Sequence, residues 1–490
     1  MNLADAIKAL QDEHFALTKS GSDDPKKWQS LEARYIHLLN KYPDSAELLF
    51  PLATLYLQLD KRGLAIPLFE KSIKCGALGA GPYLNIAAAY KQDHDDEKAL
   101  EYYQIALAEA DKRPFEGPVN KDKAFALHGI GSLYVNAGQP ALCKLWSEKA
   151  LAVDPDDRHA MWNKGLAHLE LGEWEQGFRI YDTAGFDPGG MMPTERKLKT
   201  YGGLPKWDGT AGQTVVTYGE QGVGDEIMFC SMVPDLMKDC RVIIDCDKRI
   251  EKMLKRSFPN VEAVYPTSDI DAPFPWKANH EIDAYVPMGS LGRHYRKKAS
   301  DFPKVAYLKA DPEKITEWAQ HLATLPKNLN VGISWAGGLK KTRFDKRTIV
   351  LEHLSPVLQV KGVNFISLQY HNWAADECAN VGNKLNVPIY HWGDAIADYE
   401  DTAGLLMGLD LVITVNTSLH HLCGALGVKQ WCLTPVKCAW RYGISGPSPW
   451  YGNCEMYRQK KDGDWKPVIA RAASDLSAMV QASFDALKVA

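Results

Sequence analysis

Through the first 185 residues, small and aromatic positions recur at fixed offsets: Ala53 with Tyr56, Ala87 with Tyr90, Gly131 with Tyr134, and Gly165 with His168. Each small residue is followed twelve positions later by another, at Ala65, Ala99, Cys143 and Gly177. The steps are 34, 44 and 34 residues, and the longer one contains KRPFEGPVNKDK (112–123), a polar, proline-bearing stretch that reads as a loop. Paired amphipathic helices explain this rhythm, because two helices cross closely only where a small side chain lets the backbones approach. Upstream, WQSLEARYIHLLNKYP (28–43) adds a further helix and brings the array to about four and a half units. From Phe186 to Gly212 the helical period stops amid glycines and prolines, the composition of a linker. Short apolar runs then alternate with helical patterns: TVVTY (214–218), RVIID (241–245), AYVPM (284–288), VGISW (331–335), NFISL (364–368), LVITV (411–415) and QWCL (430–433). Strands alternating with helices predict parallel sheets, and the interruption near 300–328 predicts two of them.

The 34-residue period, with Gly138 and Gly172 at the turns between helices and Pro155 after a second helix, resembles the tetratricopeptide family. Such arrays present a concave face to peptides or other chains, though this one can equally serve for oligomerisation or as a spacer. The expected organisation is a repeat array over 1–185, a linker over 186–212, and two Rossmann-like lobes over 213–310 and 311–490.

Composition changes this picture little. A content of 46% hydrophobic and 24% charged residues is that of a globular protein, and a formal charge of −4 gives no global attraction to nucleic acid or anionic membrane. No apolar run is long enough to span a bilayer, and the charged N-terminal stretch argues against a cleaved signal peptide. Ten cysteines without a CxxC pair argue against zinc and a disulfide framework and fit a reducing cytoplasm.

Chemistry concentrates in a few motifs. PKWDG (205–209), GEQGVGDEIMF (219–229), VGISWAGG (331–338), FISLQ (365–369), DTAGLLMGLDLVITVNTSLHHLCGALG (401–427) and AWRY (439–442) occur in that order. Together they resemble the glycosyltransferase family that includes the bacterial heptosyltransferases, and more closely its members fused to tetratricopeptide repeats. The resemblance implies a GT-B fold, a nucleotide-sugar donor, no metal or other cofactor, and inversion at the anomeric carbon. The 219–229 loop lacks both GxGxxG and a P-loop lysine, so neither the dinucleotide fingerprint nor a P-loop fits it.

In the resembled family the Gly-Asp of this loop sets a carboxylate beside the acceptor. Asp225 is then the expected general base, with Glu220, Gly222 and Gly224 forming the acceptor loop and Glu220 a reserve base. A second role open to Asp225 is capping a helix from 226 onward. The basic run GGLKKTRFDKR (337–347) is suited to a leaving phosphate. Lys346 and Arg347 match the family there, whereas Lys340, Lys341 and Arg343 also suit a solvated loop. NTS, after strand LVITV, can open a helix whose amides seat a pyrophosphate. The resemblance implies Asn416, Thr417, Ser418 and His421 as donor phosphate residues, while His421 also suits a core position on the helix beside His420. The family's acids are absent at Asn416 and Ala439. Gln369 and Trp335 are expected near the nucleotide, Gln369 with an ordinary turn contact as an equal reading. DCD (245–247) looks like a metal-binding DxD but equally like a strand–helix junction, and no metal is expected.

The leading expectation is an inverting, metal-independent glycosyltransferase whose repeats dock the acceptor or a partner. That acceptor is a protein, a saccharide or a modified nucleic acid. The alternatives are a GT-B-fold sugar-nucleotide epimerase and a non-catalytic repeat scaffold with a degenerate transferase lobe.

Overall fold

A computed structural model describes residues 3–21, 24–112, 117, 119–185, 196–270, 273–338 and 344–489. Helices α1 (Leu3–Lys19) and α2 (Pro25–Lys41) precede four helix pairs: α3 (Ala46–Gln58) with α4 (Arg62–Lys74), α5 (Gly81–Gln92) with α6 (Asp96–Asp111), α7 (Lys121–Asn136) with α8 (Pro140–Val153), and α9 (Arg158–Glu170) with α10 (Trp174–Ala184). The first helix falls within the span expected for the array, though no motif singled it out. The predicted inter-repeat loop falls between α6 and α7, where Asn120 caps α7 by accepting from the Lys123 amide.

The repeat is written in the backbone as well as the side chains. Asp60, His94, Gly138 and Gly172 all have positive φ, at the same spacing as the small residues. In each pair the next amide reaches back over the turn, as from Lys61 to Tyr56, Asp95 to Tyr90, Gln139 to Tyr134 and Glu173 to His168. This is a Schellman closure, which demands a left-handed residue whatever its side chain. Two of the four positions satisfy it without glycine.

The chain divides into two compact units, 1–164 and 165–490, so the division falls inside α9 and α10 belongs to the second unit. That unit holds two wholly parallel sheets. The first has the order β3-β2-β1-β4, from β1 (Thr214–Tyr218), β2 (Arg241–Asp245), β3 (Ala263–Tyr265) and β4 (Ala284–Pro287). The second has the order β10-β9-β8-β5-β6-β7, from β5 (Leu329–Ser334), β6 (Val363–Ser367), β7 (Ile389–His391), β8 (Leu411–Val415), β9 (Gln430–Thr434) and β10 (Cys454–Arg458). Two parallel α/β lobes are the arrangement that the GT-B resemblance implies. A C-terminal helix, Lys466–Val489, returns Val468, Ile469, Ala472 and Leu476 to the core of the second sheet.

Residues 196–212, expected as linker, are instead packed into the first lobe. Tyr201 and Trp207 are buried, the Trp207 amide donates to the Tyr285 carbonyl at 2.8 Å, and the Tyr285 amide donates to Pro205 at 3.0 Å. Glycine-rich composition misleads here because the aromatics between the glycines supply the burial. Residues 186–195 lie outside the described residues.

Candidate active site

In a parallel sheet, ligands collect at the carboxyl ends of strands where the strand order reverses. The first sheet reverses between β1 and β4, and the second between β5 and β8. The loop leaving β1 is 219–222 and the loop leaving β8 is 416–417, so topology alone selects two of the segments that the sequence singled out.

These two segments touch. The β1 loop runs into a short helix, α11 (Val223–Phe229), capped by Gly222, so Asp225 stands in its first turn and is not itself the cap. The helix begins three residues earlier than the capping reading required. A side chain at Gly224 would lie 3.1 Å from the Ser418 Cα and 3.3 Å from the His421 Cδ2, so anything larger than glycine crowds this approach. Gly219 is similarly constrained, because the Glu226 carboxylate lies where its Cβ would be.

Asp225 forms an ion pair with Arg441, with side chains 15% and 18% exposed. Arg441 comes from the short turn after β9, and Asp225 from the other lobe, so the pair bridges the cleft. Arg347 lies close enough to feel both of them, and burial lowers its pKa from the ordinary arginine value. Its Nη1 donates to the Asn416 carbonyl at 2.8 Å, tying the basic segment to the end of β8.

Asn416, Thr417 and Ser418 lead into the helix Ser418–Leu426. Thr417 is its N-cap without a side-chain capping bond, and the Thr417 Oγ1 and Asn416 Nδ2 are buried without a hydrogen-bond partner among the described residues. Unspent polar atoms at a helix start suit an anion. Ser418 Oγ accepts from the Tyr399 hydroxyl at 3.0 Å.

His421 is buried, with Nδ1 3.0 Å from the Tyr451 hydroxyl and Nε2 3.4 Å from that of Tyr442. Burial first, then His420 and Arg441, hold its pKa well below the usual value. It is a neutral ring between two tyrosines, its Cδ2 3.3 Å from where a Cβ on Gly224 would lie. His420 faces elsewhere, onto Gln430 at 2.9 Å.

Other expected residues occupy different places. Glu220 is a buried anchor and not a base at the surface of the loop: Arg196 Nη2 donates to it at 2.9 Å and the Gly289 amide at 3.1 Å. Burial pushes its carboxyl up against the pull of Arg196. Trp335 is a core residue whose Nε1 donates to Glu377 at 2.9 Å, and its indole is enclosed by the second sheet. Gln369 is also structural, knitting β5 to β6 by accepting from Ser334 and the Ala336 amide. Both lie in the second lobe, with their polar atoms engaged in these contacts. Lys346 is 40% exposed and leans toward Asp345 and Asp462 at 3.8 and 3.7 Å. Lys340, Lys341 and Arg343 lie outside the described residues.

The DCD segment is tied up internally. Asp245 accepts from Tyr201 at 2.5 Å and from the Thr267 hydroxyl at 2.7 Å, and Asp247 is clamped by Arg249 at 2.6 Å. Among the described residues, no group of three His, Cys, Asp or Glu is placed to hold a metal, and no helix is long and apolar enough to cross a membrane.

The sequence reading missed Arg441 and the aromatic ladder beside the basic segment. Tyr370, His371 and Trp373 follow β6 with ring centroids 4.4 and 4.9 Å apart. The legible signal for Arg441 was its place in AWRY, two residues after Ala439.

No family model matches the chain. It is similar to Protein FlbA of Caulobacter vibrioides, 27% identical over 440 residues that cover 80% of this chain and 72% of that protein. Its second unit is similar to E. coli ADP-heptose lps heptosyltransferase II, with 12% identity, TM-score 0.40, and coverage of 55% of this chain and 99% of that one. A glycosyl transferase family 9 protein from Veillonella parvula gives 10% identity, TM-score 0.40, and 55% and 96% coverage. The protein MamA is 20% identical over 32% of this chain and 87% of its own, with a TM-score of 0.28.

Proposed function

We propose that this protein is an inverting glycosyltransferase that moves a sugar from a nucleotide-sugar donor to an acceptor hydroxyl. The carrying observation is the meeting of the Gly224–Asp225 loop with Arg441, Arg347 and the start of the helix Ser418–Leu426. Asp225 takes the acceptor's proton while the hydroxyl oxygen attacks the anomeric carbon. The bond to the phosphate breaks on the opposite face. Arg347, Lys346 and the amides after Thr417 then receive the growing negative charge, which they stabilise more in the transition state than in the ground state. Asp225 and the phosphate compete for Arg441, so donor binding frees the base at the moment it is needed. The repeat array docks the acceptor or a partner chain.

The test is to incubate the protein with a panel of nucleotide sugars, with and without EDTA, and to follow free nucleotide. Slow release that survives chelation and collapses in Asp225→Ala supports the proposal. Interconverted sugar without nucleotide release means an epimerase, and failure to bind any donor means a scaffold. A strict metal requirement refutes the metal-independent mechanism.

A further inference from the structure

The last helix of the repeat pattern, α10, carries the small residue Gly177 of the period yet packs wholly within the second unit. Its Tyr181 is fully buried, and its hydroxyl donates to the Gln221 Oε1 at 2.6 Å. Gln221 is the residue before the Gly222 cap of α11. The neighbouring Glu220 is held by Arg196, whose guanidinium lies 4.2 Å from the Tyr181 ring centroid and whose Nη1 donates to the Tyr181 carbonyl. Both residues leading into the Asp225 turn are therefore fastened to α10 or to the segment laid against it.

The other partner of Asp225 rests on the same helix. Arg441 follows Trp440, whose ring lies 5.6 Å from Tyr181 and 6.0 Å from Phe178. Asp182, next along α10, accepts from Arg293 at 3.0 Å and pairs with Lys206, which fixes the helix to the first lobe. One tyrosine thus touches the approach to Asp225 and the residue beside Arg441.

We propose that Tyr181 is a positioning residue: through Gln221 it sets where the Asp225 carboxylate stands across the cleft. A base must lie within hydrogen-bond reach of the proton it takes, and small misplacements are costly to rate without loss of binding elsewhere. The turnover arm of the test rests on the glycosyltransferase reading; the exchange arm does not.

The experiment uses the full chain with Tyr181→Phe, which keeps the ring and removes only the hydroxyl, and with Gln221→Leu and the double variant. Amides of 219–225 should exchange with deuterium roughly tenfold faster, while amides of β5 and β8 do not change. Nucleotide release should fall about tenfold with donor Kd within about twofold of the parent. The double variant should be no worse than either single one, since the two act through one bond. Unchanged exchange in 219–225, faster exchange across the whole unit, or additive losses in the double variant would overturn the proposal. If the parent releases no nucleotide from any donor, the glycosyltransferase reading fails, and the exchange result alone decides Tyr181.

Discussion

The carboxyl ends of β1 and β2 lie side by side in one sheet, and both deliver acids: Glu220 and Asp225 after the first, Asp245 and Asp247 after the second. In sequence DCD is the more familiar site motif. In the fold Asp245 is sealed, its side chain 0% exposed beside Lys199 at 3.5 Å, whereas Asp225 faces the other lobe. The difference arises because β1 sits at the reversal of strand order and β2 does not. A loop at the reversal has no neighbouring crossover on one side, so its side chains look into the cleft. Beside β2, by contrast, Tyr201 and Thr267 close in and hydrogen-bond to Asp245.

The comparison is sharpened most by exchanging the acids' roles. Asp225→Asn should slow nucleotide release about 10²–10⁴-fold while donor affinity, read by calorimetry, holds or rises, because the competitor for Arg441 is gone. Weakened donor binding would break the contrast. Asp245→Ala should do the reverse, leaving Lys199 uncompensated and costing about 3–5 kcal/mol in urea denaturation.

A smaller effect comes from pH. Burial pushes His420 down to about 4 and His421 well below its ordinary value, so both remain neutral in the fold at pH values where the unfolded chain is protonated. Their stabilisation is therefore complete above the unfolded value of 6.5 and is lost as pH falls toward 4. For His420 alone the loss is about 3 kcal/mol at pH 4, seen as a falling urea midpoint. A midpoint flat across that window would refute it. Gly224→Ala is the mildest change, expected to cost about 1 kcal/mol because the lobes can part to relieve the crowding at Ser418. A loss above that of Asp245→Ala would mean that the lobes cannot move apart.

The strands that escaped the sequence reading were β3, β7 and β10, all at sheet edges. Edge strands are covered on fewer sides, so they need no continuous apolar run: the three residues of β7 are all only half-buried, and Glu455 in β10 is exposed. Interior strands enclosed on both faces, such as β1, β2 and β8, are rich in Val, Ile and Leu and were legible for that reason. Among candidate residues, Trp335 and Gln369 make structural hydrogen bonds, because a strand's carboxyl end supplies both ligand contacts and strand-to-strand ties. Composition does not separate the two.

What the sequence determined by itself was whatever is enforced by local periodicity: the helix pairs, their small crossing residues, the buried strands, and the glycine turn that carries Asp225. What only the tertiary structure decided was partnership. Arg441 against Asp225, Arg196 against Glu220, and Tyr181 against Gln221 join residues separated by 216, 24 and 40 positions, respectively. Ion pairs and hydrogen bonds act over a few ångströms of space and leave no period along the chain, so their residues become recognisable only when the fold brings them together.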